Sequence, residues 1–424
     1  MRAHLPASMH RVPALLLVLL VACGGGSPTQ DQQVTAAPPL QSEPESPPAA
    51  SGDSVGAPSE AAPQPPIAEP TGPGRLETAT HLNRIAATEI QGAVQSASDR
   101  IPALTPLYDV VNHRLTYLTH DAHGNEVVAS GLVSVPAKAG GARSPLLAYQ
   151  HGTIFRDRDA PSNNAAAFEP AVILASLGYI VVAADYVGYG ASRGTPHPYL
   201  LAAPSAAAVI DLLTATKTWR RKNRVADNGQ LFLTGYSEGG YVTVAAHRAL
   251  QAAGSEHLAG VAAALPAGGP YHVQATLDGL LERVRDENRF LGALVNPGLL
   301  RRLGSALRRQ VRDELLDRML PGEVDVVFDT RVLDYYLADD TAAIERESNV
   351  HDWAPVAQAS LFHGRDDQTV PYRNAQLTLD AMRTRGAGSV GLFDCAALPS
   401  SHIGCVPHYL AFMLGQFGAQ ARDL

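Results

Sequence analysis

Leu231-Phe232-Leu233-Thr234-Gly235-Tyr236-Ser237-Glu238-Gly239-Gly240-Tyr241 is an apolar strand-like run that turns through flanking glycines into an amphipathic, helix-like stretch. A serine hydroxyl becomes a useful nucleophile when a sharp strand-to-helix turn holds it proud of the scaffold beside a base. Gly235 and Gly239 let the chain pass closely, and the helix start leaves N–H groups free for a developing oxyanion. The Gly-x-Ser-x-Gly pattern occurs three times, also at Gly52-Asp53-Ser54-Val55-Gly56 and Gly190-Ala191-Ser192-Arg193-Gly194. The first lies in a Pro/Ser/Ala-rich stretch with no strand before it. The second runs into Thr195-Pro196-His197-Pro198, whose prolines oppose an immediate helix. Only the third has strand, turn and helix in order, which singles out Ser237.

Outward from that turn, apolar runs alternate with helical stretches. Residues 75–106 form a preface without an assigned strand. Tyr108–Leu118 and Glu126–Val135 then alternate as half-buried strands around a His123-Gly124-Asn125 turn, a hairpin signal. Pro145–Gln150, Tyr179–Asp185, Leu231–Thr234 and Val261–Leu265 read as strands, with helices over 165–177, 207–222 and 241–253 between them. Continuous β-branched runs separated by helices indicate a buried parallel sheet, hence an α/β fold. The rhythm breaks after this sixth strand. Over 269–351 the periodicity is helical, with an apolar stripe of Leu299, Leu300, Leu303, Leu307, Val311, Leu315 and Met319. This predicts an inserted helical cap, whose stripe either covers an acyl pocket or packs the cap onto the core. Strands at Gln358–His363 and Ser389–Phe393 and helices over 372–384 and 405–421 complete the chain. The expected organisation is a core over 75–268, a cap over 269–351 and a second core segment over 352–424.

The 424 residues are 46% hydrophobic, enough for a sizeable core, and the formal charge of −8 comes without long basic blocks. That excludes a nucleic-acid footprint. Arg2 and Arg11 lead into the apolar run Val12–Ala22, an export signal over 1–22, with Met9 as a second possible start. Leu20-Val21-Ala22-Cys23 resembles a bacterial lipobox, which implies lipidation of Cys23 and membrane attachment through it; a plain secretory peptide is the alternative. Residues 23–74 are rich in Pro, Ala, Ser and Glu, too poor in apolar surface to offset ordering entropy, and read as a disordered tether. With Cys23 lipidated, Cys395 and Cys405 make one even pair bracketing His402. They form either a disulfide stapling that loop or two buried thiols.

Tyr149-Gln150-His151-Gly152-Thr153, Ala184-Asp185-Tyr186-Val187-Gly188-Tyr189-Gly190, the Ser237 turn and Leu361-Phe362-His363-Gly364-Arg365-Asp366-Asp367-Gln368-Thr369-Val370-Pro371 together resemble a secreted bacterial α/β-hydrolase of the lipoprotein esterase and secretory lipase type, from about Tyr108 to the C-terminus. The resemblance implies the α/β-hydrolase fold, an order of nucleophile, acid and histidine, and ester cleavage through an acyl-enzyme without metal or cofactor. Matched to it, the acid is Asp367, with Asp366 as rival, and His363 is structural. The base is His402 in Ser400-Ser401-His402-Ile403-Gly404-Cys405, with His408 as rival. A backbone N–H from Gly152 or Thr153 joins that of Glu238 in the oxyanion hole; the chain has His-Gly-Thr where one esterase branch carries a triple glycine. The expected substrate is a small-molecule or lipid ester. A peptidase or amidase on the same fold, and a tethered binding protein that has lost catalysis, are the other readings.

Overall fold

The computed structural model describes residues 70–98, 101–287, 302, 304–320 and 323–424. The export signal, Cys23, nearly all of the tether and the first Gly-x-Ser-x-Gly lie outside the described residues.

One nine-stranded sheet organises the chain, in the order β1-β2-β3-β5-β4-β6-β7-β8-β9. The strands are β1 (Leu76–Ile85), β2 (Val110–His120), β3 (Glu126–Pro136), β4 (Ser144–Gln150), β5 (Ile180–Ala184), β6 (Asp227–Tyr236), β7 (Val261–Ala267), β8 (Gln358–His363) and β9 (Val390–Asp394). β1, β2 and β3 pair antiparallel, β3 pairs antiparallel with β5, and every later pairing is parallel. This is the mixed, mostly parallel sheet of the α/β-hydrolase fold, as expected. The hairpin forms with His120 opposite Glu126, and its turn is held by the Asp121 carboxylate, which accepts from the amides of His123 and Asn125. The unforeseen strand is β1, an edge strand mostly open to solvent. It makes β7, the strand before the insertion, the seventh and not the sixth.

Helices cover both faces. α1 (Ala87–Ser96) and α2 (Pro170–Ser176) lie on one side, α3 (Ala202–Lys222) and α4 (Glu238–Ala252) on the other. On the α3/α4 side Leu212, Trp219, Tyr241 and Leu250 bury against Leu231 and Leu233. On the other, Ile90, Val172, Tyr409 and Phe417 bury against Leu147 and Phe232. Each such side chain contributes roughly 1.5–3 kcal/mol. Between β7 and β8 the described elements are all helical: α5 (Val273–Glu287), α6 (Ser305–Met319), α7 (Arg331–Leu337) and α8 (Thr341–Glu347). Of the predicted stripe, Leu299, Leu300 and Leu303 lie outside the described residues, Leu307 is exposed and Val311 half-buried. After β8 come α9 (Arg373–Thr384) and α10 (Val406–Gly418).

The β6–α4 junction explains both motif glycines. A Cβ on Gly239 would lie 2.0 Å from the Gln150 carbonyl oxygen, and one on Gly235 would lie 2.4 Å from the Gly239 carbonyl oxygen. Backbone on backbone leaves nothing flexible to yield. Gly239→Ala is therefore expected to cost roughly 1–3 kcal/mol or more through overpacking, read as a lower denaturant midpoint at unchanged slope; an unshifted midpoint would show that the junction is looser than this packing.

Candidate active site

Ser237 links β6 to α4 with φ 60° and ψ −123°, a backbone conformation costly for a residue with a Cβ. Two hydrogen bonds clamp it there: its N–H donates to Ala267 O at 2.8 Å, and its carbonyl accepts from Tyr241 N at 3.1 Å. The strain holds Oγ out of the helix, 2.9 Å from His402 Nε2. His402 Nδ1 lies 2.6 Å from Asp367 Oδ2, and the three side chains form one hydrogen-bonded line. All three residues are buried. Because the carboxylate only accepts, the proton of a neutral imidazole sits on Nδ1, and the Nε2 lone pair faces the serine hydroxyl.

Asp367 follows β8. Its Oδ1 accepts from the amides of Thr369 and Val370 at 2.8 and 2.9 Å, which fixes the rotamer. Burial by itself would push this carboxyl up, but the positive field and hydrogen bond of His402, with the hydrogen bond of His363, outweigh it and hold Asp367 well below the ordinary carboxylate range. His363 sits fully buried at the strand end, its Nε2 2.8 Å from Val370 O and 3.3 Å from Asp367 Oδ2. Expected as a structural residue at the strand end, it also touches the carboxylate. The rival Asp366 points elsewhere: its Oδ2 accepts from Ser400 N and Ser400 Oγ, both at 2.9 Å, and so ties the acid loop to the histidine loop. His408 lies exposed on α10.

Three further contacts hold His402. The Tyr236 hydroxyl donates to its carbonyl at 2.6 Å, Gly364 packs so closely on Ser400 that a Cβ there would lie 2.1 Å from its oxygen, and Cys395 and Cys405 form a buried disulfide. Closing a short loop by a disulfide is typically worth about 2–4 kcal/mol, mainly against the unfolded chain. Converting both cysteines to serine is expected to lower the melting temperature and reduce kcat more than it raises KM, because the loop carries the base and not the substrate. Unchanged turnover in that variant would detach the staple from the site.

The loop after β4 brings Gly152 beside the nucleophile, where a Cβ would sit 3.8 Å from Ser237 Cβ. Thr153 is buried next to it, with Oγ1 3.4 Å from the Tyr199 hydroxyl. Among the described residues neither the Gly152 nor the Thr153 amide has a backbone acceptor. The Glu238 amide opens α4, where a helix offers no acceptor. Gly152 and Glu238, named from the sequence, thus lie beside Ser237, and Thr153 follows Gly152 in the same loop. His151 is taken up by structure: its ring nitrogens face Gly152 O at 2.7 Å and Asp185 O at 3.3 Å, and its ring stacks on Tyr186. Asp185 accepts from Ser130 Oγ, Ser162 Oγ and Ser162 N. In the second Gly-x-Ser-x-Gly, Ser192 Oγ donates to Tyr189 O at 2.9 Å and accepts from Gly188 N, so it serves its own turn. What sequence reasoning missed is the pairing of Glu238 with His197, 41 positions earlier, since no local pattern links them.

The fold is shared with solved structures. A putative hydrolase from Legionella pneumophila is 24% identical over 81% of this chain and 97% of its own, with a TM-score of 0.62. The rice cell wall degrading esterase LipA from Xanthomonas oryzae is 24% identical over 83% of this chain and 100% of its own, with a TM-score of 0.63. No curated protein matches the sequence. The model of the X-Pro dipeptidyl-peptidase (S15) family matches residues 125–398, from the β2–β3 turn to just short of His402 and including Ser237 and Asp367. By that match over well over half its length, on a sheet of α/β-hydrolase order, the chain belongs to the X-Pro dipeptidyl-peptidase (S15) family and is a serine hydrolase.

Proposed function

We propose that this protein cleaves carboxylic esters through an acyl-enzyme on Ser237. The observation that carries the reading is the line Ser237 Oγ, His402 Nε2, His402 Nδ1, Asp367 Oδ2, with spacings of 2.9 and 2.6 Å. His402 takes the Ser237 proton as Oγ bonds to the ester carbonyl carbon. The tetrahedral oxyanion is held by the Glu238 amide with Gly152 or Thr153. His402 returns the proton to the leaving alcohol as the C–O bond breaks, and water repeats the sequence to release the acid. Asp367 keeps its charge and holds the Nδ1–H tautomer throughout.

Ester over peptide is supported by the esterase neighbour LipA, whose fold the chain shares. It is also supported by Glu238, the acidic side chain next to the nucleophile, which is turned into the core and paired with His197 and so is not offered to a peptide ammonium group. The peptidase reading is favoured by the family model, whose description is that of a dipeptidyl-peptidase. Parallel assays on p-nitrophenyl esters of graded chain length and on aminoacyl-proline anilides decide between them. A higher kcat/KM on esters is expected; the reverse order makes the protein a peptidase.

The same proposal places the enzyme outside the cytoplasm, lipid-anchored to the bacterial envelope through Cys23. The N-terminal sequence supports this, as does the disulfide, a bond of oxidising compartments. Fatty-acid labelling that is present in the parent and lost in Cys23→Ala is the expected result; an unlabelled parent would leave a plain secretory peptide.

A further inference from the structure

The residue whose amide opens α4 carries a buried carboxylate. Glu238 is 2% exposed; its Oε1 lies 2.8 Å from His197 Nε2, and Oε2 has no partner among the described residues. The rings of Tyr186, Tyr189 and Tyr199 lie 5.0 to 6.1 Å from the ring of its partner His197.

The protonation of this pair follows from its partners. His197 Nδ1 faces the Val187 carbonyl at 2.9 Å, and a carbonyl can only accept, so Nδ1 carries a proton. A bare Nε2 would then place a lone pair against a carboxylate oxygen in a buried site. One further proton therefore sits on the Nε2–Oε1 line, and the pair as a whole is neutral. Without that proton a buried negative charge would stand on the very residue whose N–H must stabilise a developing oxyanion, where low polarity magnifies the repulsion.

The imidazole is held firmly. His197 N–H donates to Val327 O at 2.7 Å, its carbonyl accepts from Asp329 N at 2.8 Å, and its ring meets Phe328 and Tyr189 edge-on. Residues 327–329 follow α6, so the insertion between β7 and β8 clamps the histidine that meets the elbow.

We propose that His197 is a positioning residue for the oxyanion hole: its proton neutralises Glu238 and anchors the residue whose amide holds the oxyanion. This rests on the acyl-enzyme reading above. In the full chain, His197→Phe keeps an aromatic ring and deletes the proton. On a p-nitrophenyl ester kcat is expected to fall at least about tenfold, short of the roughly 10²–10³ cost of losing an oxyanion donor outright, with KM changed less than about twofold. Adding Glu238→Gln to that variant removes the stranded charge and is expected to recover most of the loss, which a packing defect would not allow. Unchanged kcat in His197→Phe, or a double variant as slow as the single one, overturns the proposal. Should His197→Phe fail to fold, ¹⁵N NMR of the unsubstituted protein serves: a hydrogen-bonded proton shared between His197 Nε2 and Glu238 is expected, and its absence overturns the proposal. Failure of a fluorophosphonate to label Ser237 in the unsubstituted protein would instead count against the nucleophile.

Discussion

Replacing Ser237 by alanine is expected to leave a folded protein with its melting temperature nearly unchanged and, on the ester reading proposed above, its turnover lower by roughly 10⁶-fold, the cost of removing the nucleophile from a group of residues that act as a unit. The fold is expected to survive because the hydrogen bonds that clamp the turn run through the backbone of Ser237, to Ala267 and from Tyr241. His402 and Asp367 keep their own contact at 2.6 Å in that variant, so what is lost is chemistry and not architecture. Steady-state kinetics with circular dichroism as the control measures this. A variant retaining near-parental turnover would remove Ser237 from the mechanism, and one that fails to fold would show that the hydroxyl carries structure.

Asp367→Asn produces the second large effect, a fall in kcat of about 10⁴-fold from the wrong imidazole tautomer. The local hydrogen bonds dictate its direction. Oδ1 is already fixed as acceptor for the Thr369 and Val370 amides. An asparagine must therefore keep its oxygen there and turn its NH₂ toward His402 Nδ1. That forces the ring proton onto Nε2, facing the serine hydroxyl, and abolishes the base. Asp366→Asn provides the comparison: its oxygen can still accept from Ser400, and only a small loss is expected. Similar losses in the two variants would mean that the adjacent carboxylates share the role. The lowered position of Asp367 also sets the pH behaviour. Its contribution to stability is present above the ordinary carboxylate value and is lost only as pH falls through its own depressed one. The carboxylate thus stays charged through the ordinary carboxylate range and below it.

The sheet was legible because its inner strands are continuous apolar runs. Ile180–Ala184 is buried at every position, and Leu231–Tyr236 likewise. β1 escaped notice for the opposite reason. Leu-Glu-Thr-Ala-Thr-His-Leu-Asn-Arg-Ile sits at an edge with most of its side chains in solvent, so burial left little pattern on it. The site was legible where function constrains neighbours in sequence. Glycines flank Ser237 because a Cβ would strike Gln150 and Gly239, and the Gly364 turn presses on the histidine loop. The signature match selects Asp367 but leaves Asp366 as rival, since what separates them is a direction in space: one bonds Ser400, the other His402. The Glu238–His197 pair was beyond reach for the same reason, because it joins the elbow to a loop that the chain reaches by a different route.

The family match and the esterase neighbour leave the shared chemistry in common and differ in the leaving group, alcohol or amine. On the proposed mechanism both pass through an acylated Ser237. A fluorophosphonate mimics the tetrahedral stage and reacts only with a serine that a working base has activated. Intact-mass measurement with peptide mapping after such treatment is therefore the most direct test. The expected result is one adduct per chain, carried by Ser237 and lost in His402→Ala; an adduct on another serine, or none on the folded protein, would contradict the account.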